Sequence, residues 1–178
     1  MGIDAQNQGA GLPQDKGVGF IAEEVLVDIL RNRLPDMSVR LSTSGEDSGL
    51  EQIGRGDQID TVAYLKDRPA MTMQITTARD KRVRDEKIKS LRDRPFVRLD
   101  EMGLKDTAIP KTLVWMDPEK VLAFVNSGDP SITESLLDEV FMGIINSLKF
   151  DLAMTKNPAE QQHIMMLLQL FEQKTNPN

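Results

Sequence analysis

The chain has 178 residues, 39% hydrophobic and 28% charged, which suits one globular domain with its own core and excludes disorder throughout. With no cysteine and a single histidine, it has no means of building disulfide frameworks, thiolate metal sites, cysteine nucleophiles or His-rich metal centres. A net charge of −6 argues against a protein coated with nucleic acid on all sides and leaves room for a local basic patch.

Residues 1 to 18 carry four glycines, with Gln6, Asn7, Gln8 and Pro13 between them, and show no periodicity, which predicts a flexible arm. They lack the apolar stretch of a signal peptide, and no run of about 18 apolar residues occurs. A cytoplasmic chain with no membrane partner is therefore expected. From Gly19 to Leu34 the residues Ala22, Leu26, Ile29, Leu30 and Leu34 recur at helical spacing, and Pro35 ends the run. Glu23 falls inside this apolar arc, between Leu30 and Leu34, whereas Glu24 and Asp28 fall outside it. A carboxylate in a buried arc needs a partner, a proton, a cation or the favourable field of a helix N-terminus.

Val39 to Ser42 reads as a short strand, and Ser44 to Gly56, with four glycines, as a loop. Asp60 to Leu65 and Ala70 to Thr77 are rich in Val, Ile, Thr and Tyr, and Lys66-Asp67-Arg68-Pro69 between them has turn chemistry, so a β-hairpin is predicted. By the period of two, Asp60, Val62 and Tyr64 share one face of the first strand, and Gln74 and Thr76 share a face of the second. A helix Glu, an Asp at a strand's start and a polar pair across the hairpin can converge on an oxygen-lined site of the kind Mg²⁺ prefers.

Asp80 to Arg94 reads as a charged helix whose apolar residues Val83, Ile88 and Leu91 form a narrow stripe over the core. Residues 79 to 98 hold nine basic and four acidic side chains, against 7 and 12 before them and 6 and 12 after. One basic segment thus sits in an acidic chain. Arg79, Lys81, Arg82, Arg84, Lys87 and Lys89 form either a solvated helix face, with pairs such as Asp85 and Lys89, or a stripe that contacts nucleic-acid phosphates by counterion release. No aromatic residues interleave with it, so base stacking is not implied.

Thr112 to Met116 reads as a strand, and Asp117-Pro118 as N-cap and first residue of a helix to about Asn126. Ile132 to Phe150 and Pro158 to Gln173 form a helical hairpin. The expected organisation is an arm over 1–18, an α/β core over 19–128 and a helical extension over 129–178, packed on the core or on a partner. His163, Trp115, Met71 to Met73 and Met165 to Met166 read as packing residues. There is no P-loop or dinucleotide fingerprint, because Gly54 and Gly56 precede a strand and not a helix.

The stretch Gly54-Arg55-Gly56-Asp57-Gln58-Ile59-Asp60-Thr61-Val62, followed by Met73-Gln74-Ile75-Thr76-Thr77-Ala78-Arg79, resembles the metal-binding hairpin of the PD-(D/E)XK nuclease superfamily. In particular it resembles the small endonuclease-like proteins related to archaeal Holliday junction resolvases. The resemblance spans residues 19 to 117 in order of elements. It implies a restriction endonuclease-like core of helix, three strands, helix and strand, and metal-dependent hydrolysis of a phosphodiester, with DNA as partner. Glu23 would match the helix acid, Asp60 the central metal ligand, Gln74 the Glu and Thr76 the Lys of the family's Glu-x-Lys pair. Mg²⁺ or Mn²⁺ would then be held by Glu23, Asp60 and Gln74, with Asp60, Gln74 and Thr76 as the catalytic set.

The sequence departs from the family at two places. Gln74 keeps an oxygen ligand and loses a charge, and Thr76 brings no positive charge to the developing phosphate charge. Lys81, Lys87 and Lys111 lie on neighbouring elements from which a cation can reach the site. The alternative is a catalytically inactive nuclease-fold module whose C-terminal helices serve a homodimer or another protein partner. A further rival is an α/β domain that binds no nucleic acid.

Overall fold

The hairpin forms at the centre of a sheet. In the computed structural model, which describes residues 15–42, 59–99, 104 and 107–175, β2 (Thr61–Leu65) and β3 (Arg68–Thr76) pair antiparallel across a two-residue turn. Lys66 and Asp67 both take positive φ, 49° and 63°, the backbone sense that matches a two-residue turn to the strands' right-handed twist. Arg68 and Pro69, expected in the turn, therefore belong to β3. The expected arm up to Gln14 and the glycine loop over 44–56, together with Asp57 and Gln58 of the motif, lie outside the described residues.

Before the hairpin come α1 (Asp15–Arg33) and β1 (Met37–Leu41), which pairs antiparallel with β2. The helix starts four residues earlier than its periodicity suggested, and Val18 in its first turn is buried. After the hairpin, α2 (Lys81–Asp93) is capped by the Asp80 side chain, which accepts from Arg82 N at 2.8 Å. It leads through β4 (Phe96–Arg98) to β5 (Ala108–Trp115), which lies parallel to β3. The sheet order is β1-β2-β3-β5-β4, with β4 antiparallel to β5. β4 was not expected, since three residues after Pro95 are too few to show alternation. β5 begins four residues before Thr112. Pro110, which has no N–H, pairs there with Phe96 of β4.

Asp117 and Pro118 do open α3 (Pro118–Ser127), and Asp129 and Pro130 open α4 (Pro130–Met154) in the same manner. Among the described residues, α5 (Pro158–Thr175) completes an α/β architecture of one five-stranded mixed sheet and five helices. One sheet face, with Ala63, Met71, Met73, Ile75 and Val114, shares a continuous core with α1, α4 and α5. Phe141 of α4 and Phe171 of α5 meet edge to face there, centroids 5.4 Å apart. His163 joins this packing through its Nε2, 2.7 Å from the Ala70 carbonyl oxygen.

Met71 and Met73 are buried, but Met165 and Met166 are exposed, because the inward stripe of α5 is Ile164, Leu167, Leu168 and Phe171. Trp115 is half-buried, with its Nε1 donating to the Ala78 carbonyl at 3.1 Å. α4 also covers the edge of β5 beyond the short β4. Ser147 Oγ accepts from Leu113 N at 3.2 Å and lies 3.4 Å from Leu113 O. That removes an open strand edge. Among the described residues, no helix is long and apolar enough to cross a membrane.

The other sheet face carries a smaller cluster of Ile59, Val62, Val97, Leu99 and Ile109. α2 lies over part of it, and here the sequence reading needs correcting. Of Val83, Ile88 and Leu91, Leu91 is buried, Ile88 is half-buried and Val83 is exposed. Helix and sheet therefore do not seal, and a cleft remains between them.

Candidate active site

α1 delivers Glu23 from its inner arc, and the residue before β2 delivers Asp60. Asp60 is tied into the sheet twice. Its N–H donates to Met73 O at 3.1 Å, and its Oδ2 accepts from Ile75 N at 2.6 Å. The second bond is charge-assisted and holds the carboxylate against β3. Burial nevertheless raises the Asp60 carboxyl above its ordinary range, against the Ile75 N–H and the Lys87 ammonium, which both lower it.

Glu23 is affected more strongly. Burial, then the nearby Asp60 charge, then Glu24 push its carboxyl from 4.5 to about 7, and Lys87 works in the opposite direction. Two carboxylates from distant parts of the chain thus share one electrostatic site, and one lysine acts on both. Lys87 Nζ lies 3.4 Å from the Ile75 carbonyl, so Ile75 meets Asp60 through its N–H and Lys87 through its oxygen.

Lys87 also lines the cleft under α2, about 300 Å³ in volume, at the small end for ligand pockets. Residues 83, 86, 87, 90 and 91 recur at helical spacing, so Val83, Glu86, Lys87, Ser90 and Leu91 present one face of α2 to it. β3 contributes Thr72 and Gln74, and β5 contributes Lys111 opposite Thr72.

Gln74 therefore reaches the cleft with Lys87, next to the residue that binds Asp60. Thr76 is placed differently. It is buried at the end of β3, and its Oγ1 accepts from Ala78 N at 3.3 Å, which turns the chain toward α2. Among the described residues no three His, Cys, Asp or Glu side chains gather as a metal cluster. Glu23 and Asp60 share one site, and the Gln74 amide belongs to the strand that holds Asp60. Two buried acids, one of which raises the other's affinity for protons, are a donor set that a hard divalent cation completed by water can use.

The basic segment is partly engaged in the fold. Arg79 pairs with Glu119 at 2.8 Å and Arg82 with Asp80 at 3.3 Å, while the Arg84 guanidinium lies 5.3 Å from the Trp115 ring centre. Lys81 and Lys89 are exposed. The two ion pairs are on the surface, where such pairs are weak and exchange readily for another anion.

Of the three lysines singled out in the sequence, Lys87 and Lys111 line the cleft and Lys81 does not. Glu86 and Asp151 were missed. Asp151 was legible in the way Glu23 was, since it continues the buried stripe of Ile144 and Leu148 on α4. No protein-family model, curated protein or solved structure matches the chain.

Proposed function

We propose that the chain is a nuclease-like protein of the PD-(D/E)XK type that hydrolyses a phosphodiester with a divalent cation. The observation that carries this reading is that the Asp60 charge acts on Glu23 and the Lys87 charge on both, and that Lys87 lines a cleft together with Gln74. The order of elements supports it: a helix, an antiparallel three-stranded meander, a crossing helix and a strand parallel to the third. Apart from the short edge strand β4, which comes between that helix and the last strand, this is the order of the restriction endonuclease-like core that the sequence resembles.

In this reading Glu23, Asp60 and Gln74 hold Mg²⁺ or Mn²⁺, which when bound supplies a Lewis acid and an acidified water. Lys87 takes the place of the family's motif lysine, giving the positive charge that Thr76 lacks. Asp60 is pre-oriented by the Ile75 N–H, so it need not reorganise when a ligand arrives. Arg79, Lys81, Arg82, Arg84 and Lys89 on and before α2 hold the DNA backbone.

A second reading has an observation in its favour: Thr76 is committed to the strand end, and Gln74 is uncharged. On that reading the fold binds without cleaving.

Calorimetry with Mn²⁺ and cleavage of single-stranded, duplex and branched DNA test the two together. The wild type is expected to bind Mn²⁺, and Asp60→Asn to lose at least about tenfold in affinity. Lys87→Met should keep metal binding and lose about 10²-fold or more in cleavage rate. If wild type and Asp60→Asn both fail to bind, the nuclease reading falls. Metal binding without cleavage of any substrate favours the second reading.

A further inference from the structure

The face that α2 turns to the cleft holds an acid that the metal site does not use. Among the described residues that line the cleft, Glu86 is the only carboxylate. It is exposed, so it stands at the rim, and among the described residues its side chain has no hydrogen-bond or ion-pair partner. The cation one helical turn before it, Arg82, pairs with Asp80 instead. Ser90 lies one turn after Glu86 and is exposed on the same face.

On the nuclease reading the cleft receives nucleic acid, and a phosphate is the wrong group to meet Glu86, because the two negative charges repel. An ionised carboxylate only accepts hydrogen bonds. Its counterpart on a nucleic acid is therefore a set of N–H donors, and those lie on base edges. In a duplex the opposite strand takes up the donors of the pairing edge, so the base must be unpaired.

Guanine alone presents two adjacent donors on that edge, N1–H and the N2 amine, the arrangement that a carboxylate accepts with both oxygens. Adenine and cytosine each set one amine beside a ring-nitrogen acceptor, which would face the second carboxylate oxygen. Thymine sets one N–H between two carbonyl oxygens. The Ser90 hydroxyl can donate to O6, the guanine acceptor next to N1–H.

The shape of the cleft agrees with a single base. Its volume of about 300 Å³ has room for one base and not for a base pair. Val83 and Leu91 of α2 and Ile59 on the side of the sheet offer apolar surface to the base's flat faces. Val83 is 39% exposed, an apolar side chain on the cleft that the fold itself leaves partly uncovered.

We propose that the cleft under α2 reads an unpaired guanine, with Glu86 accepting from its N1–H and N2 amine, so that the protein selects single-stranded segments carrying that base. That the ligand is a nucleic acid rests on the nuclease reading. That it presents paired N–H donors rests on Glu86 and the cleft. Glu86 touches no reacting atom and acts on specificity alone.

The test is calorimetric titration of the full chain, in EDTA at pH 7, with a short oligothymidylate and with the same oligomer carrying one central guanine, hypoxanthine, adenine or cytosine. The guanine oligomer should bind at least about fivefold more tightly than the thymine, adenine and cytosine ones. Hypoxanthine keeps N1–H and O6 and lacks the amine, so it should lose most of that gain. Glu86→Gln should bring the ratio of guanine to thymine affinity close to one. Because Glu86 is exposed, the variant keeps the fold, and its affinity for each oligomer is measured on folded protein.

A wild type that binds none of the oligomers, binds them all equally or takes hypoxanthine as well as guanine would overturn the proposal, and so would an undiminished ratio in Glu86→Gln. EDTA removes the metal, so a lack of Mn²⁺ binding or of cleavage would sink the nuclease reading and leave a guanine preference standing. A wild type that binds Mn²⁺ and cleaves DNA, yet shows no preference among the oligomers, would do the reverse.

Discussion

Replacing Asp151 by asparagine should change how stability depends on pH, by an amount the structure sets. In an unfolded chain this aspartate releases its proton near 3.8, whereas in the folded protein burial holds the proton to about 8. Between those values the folded state binds more protons than the unfolded one. Stability from this group is therefore greatest on the acid side and falls as pH rises, by about 1.4 kcal/mol per pH unit. From pH 5 to pH 7 the loss is about 3 kcal/mol. Asparagine has the same shape and does not titrate, so Asp151→Asn escapes the loss. Glu23, also raised, titrates in both proteins and cancels in the difference. Urea unfolding of both at pH 5, 6 and 7 should show the variant gaining on the wild type by about 3 kcal/mol across that range. A difference constant to within about 0.5 kcal/mol would refute the reasoning and mean that Asp151 is ionised and well solvated in the folded chain.

Metal binding should depend on pH through Glu23. Its carboxyl, raised to about 7, must lose its proton to act as a ligand, so Mn²⁺ affinity measured by calorimetry should climb from pH 5 to 7 and level off above. A flat profile would remove Glu23 from the ligand set. Phe171→Ala, which empties a fully buried site against Phe141, should cost about 3–5 kcal/mol in urea unfolding. A loss under about 1 kcal/mol would show that α5 contributes little to the common core.

Much of the fold was legible because it is locally encoded. The stripe Ala22, Leu26 and Leu30 marks α1, the turn residues Lys66-Asp67-Arg68-Pro69 between two runs rich in Val, Ile, Thr and Tyr mark the hairpin, and Asp117-Pro118 marks the start of α3. These signals depend on periods and caps within a few residues. β4 left no such signal, and its pairing with β5 depends on a strand ten residues further along. The stripe on α2 was also misjudged. Val83 and Lys87 have the same spacing whether the helix seals against a sheet or stands off from it, and only the sheet's position decides which.

For the candidate site, residue types and local order by themselves determined that Glu23 is misplaced for a solvated acid and that Asp60 and Gln74 interrupt buried strands. They also placed a net positive charge on one segment of an acidic chain. Tertiary structure alone decided which partners these groups meet. It brought Glu23 within the field of Asp60, set Lys87 and Lys111 but not Lys81 on the cleft, turned Thr76 into a strand terminator and buried Asp151 within the field of Lys111. The physical reason is range. Helical and strand periods act over a few residues, whereas the energy of a buried charge depends on what crossing elements bring within a few ångströms of it, from any distance along the chain.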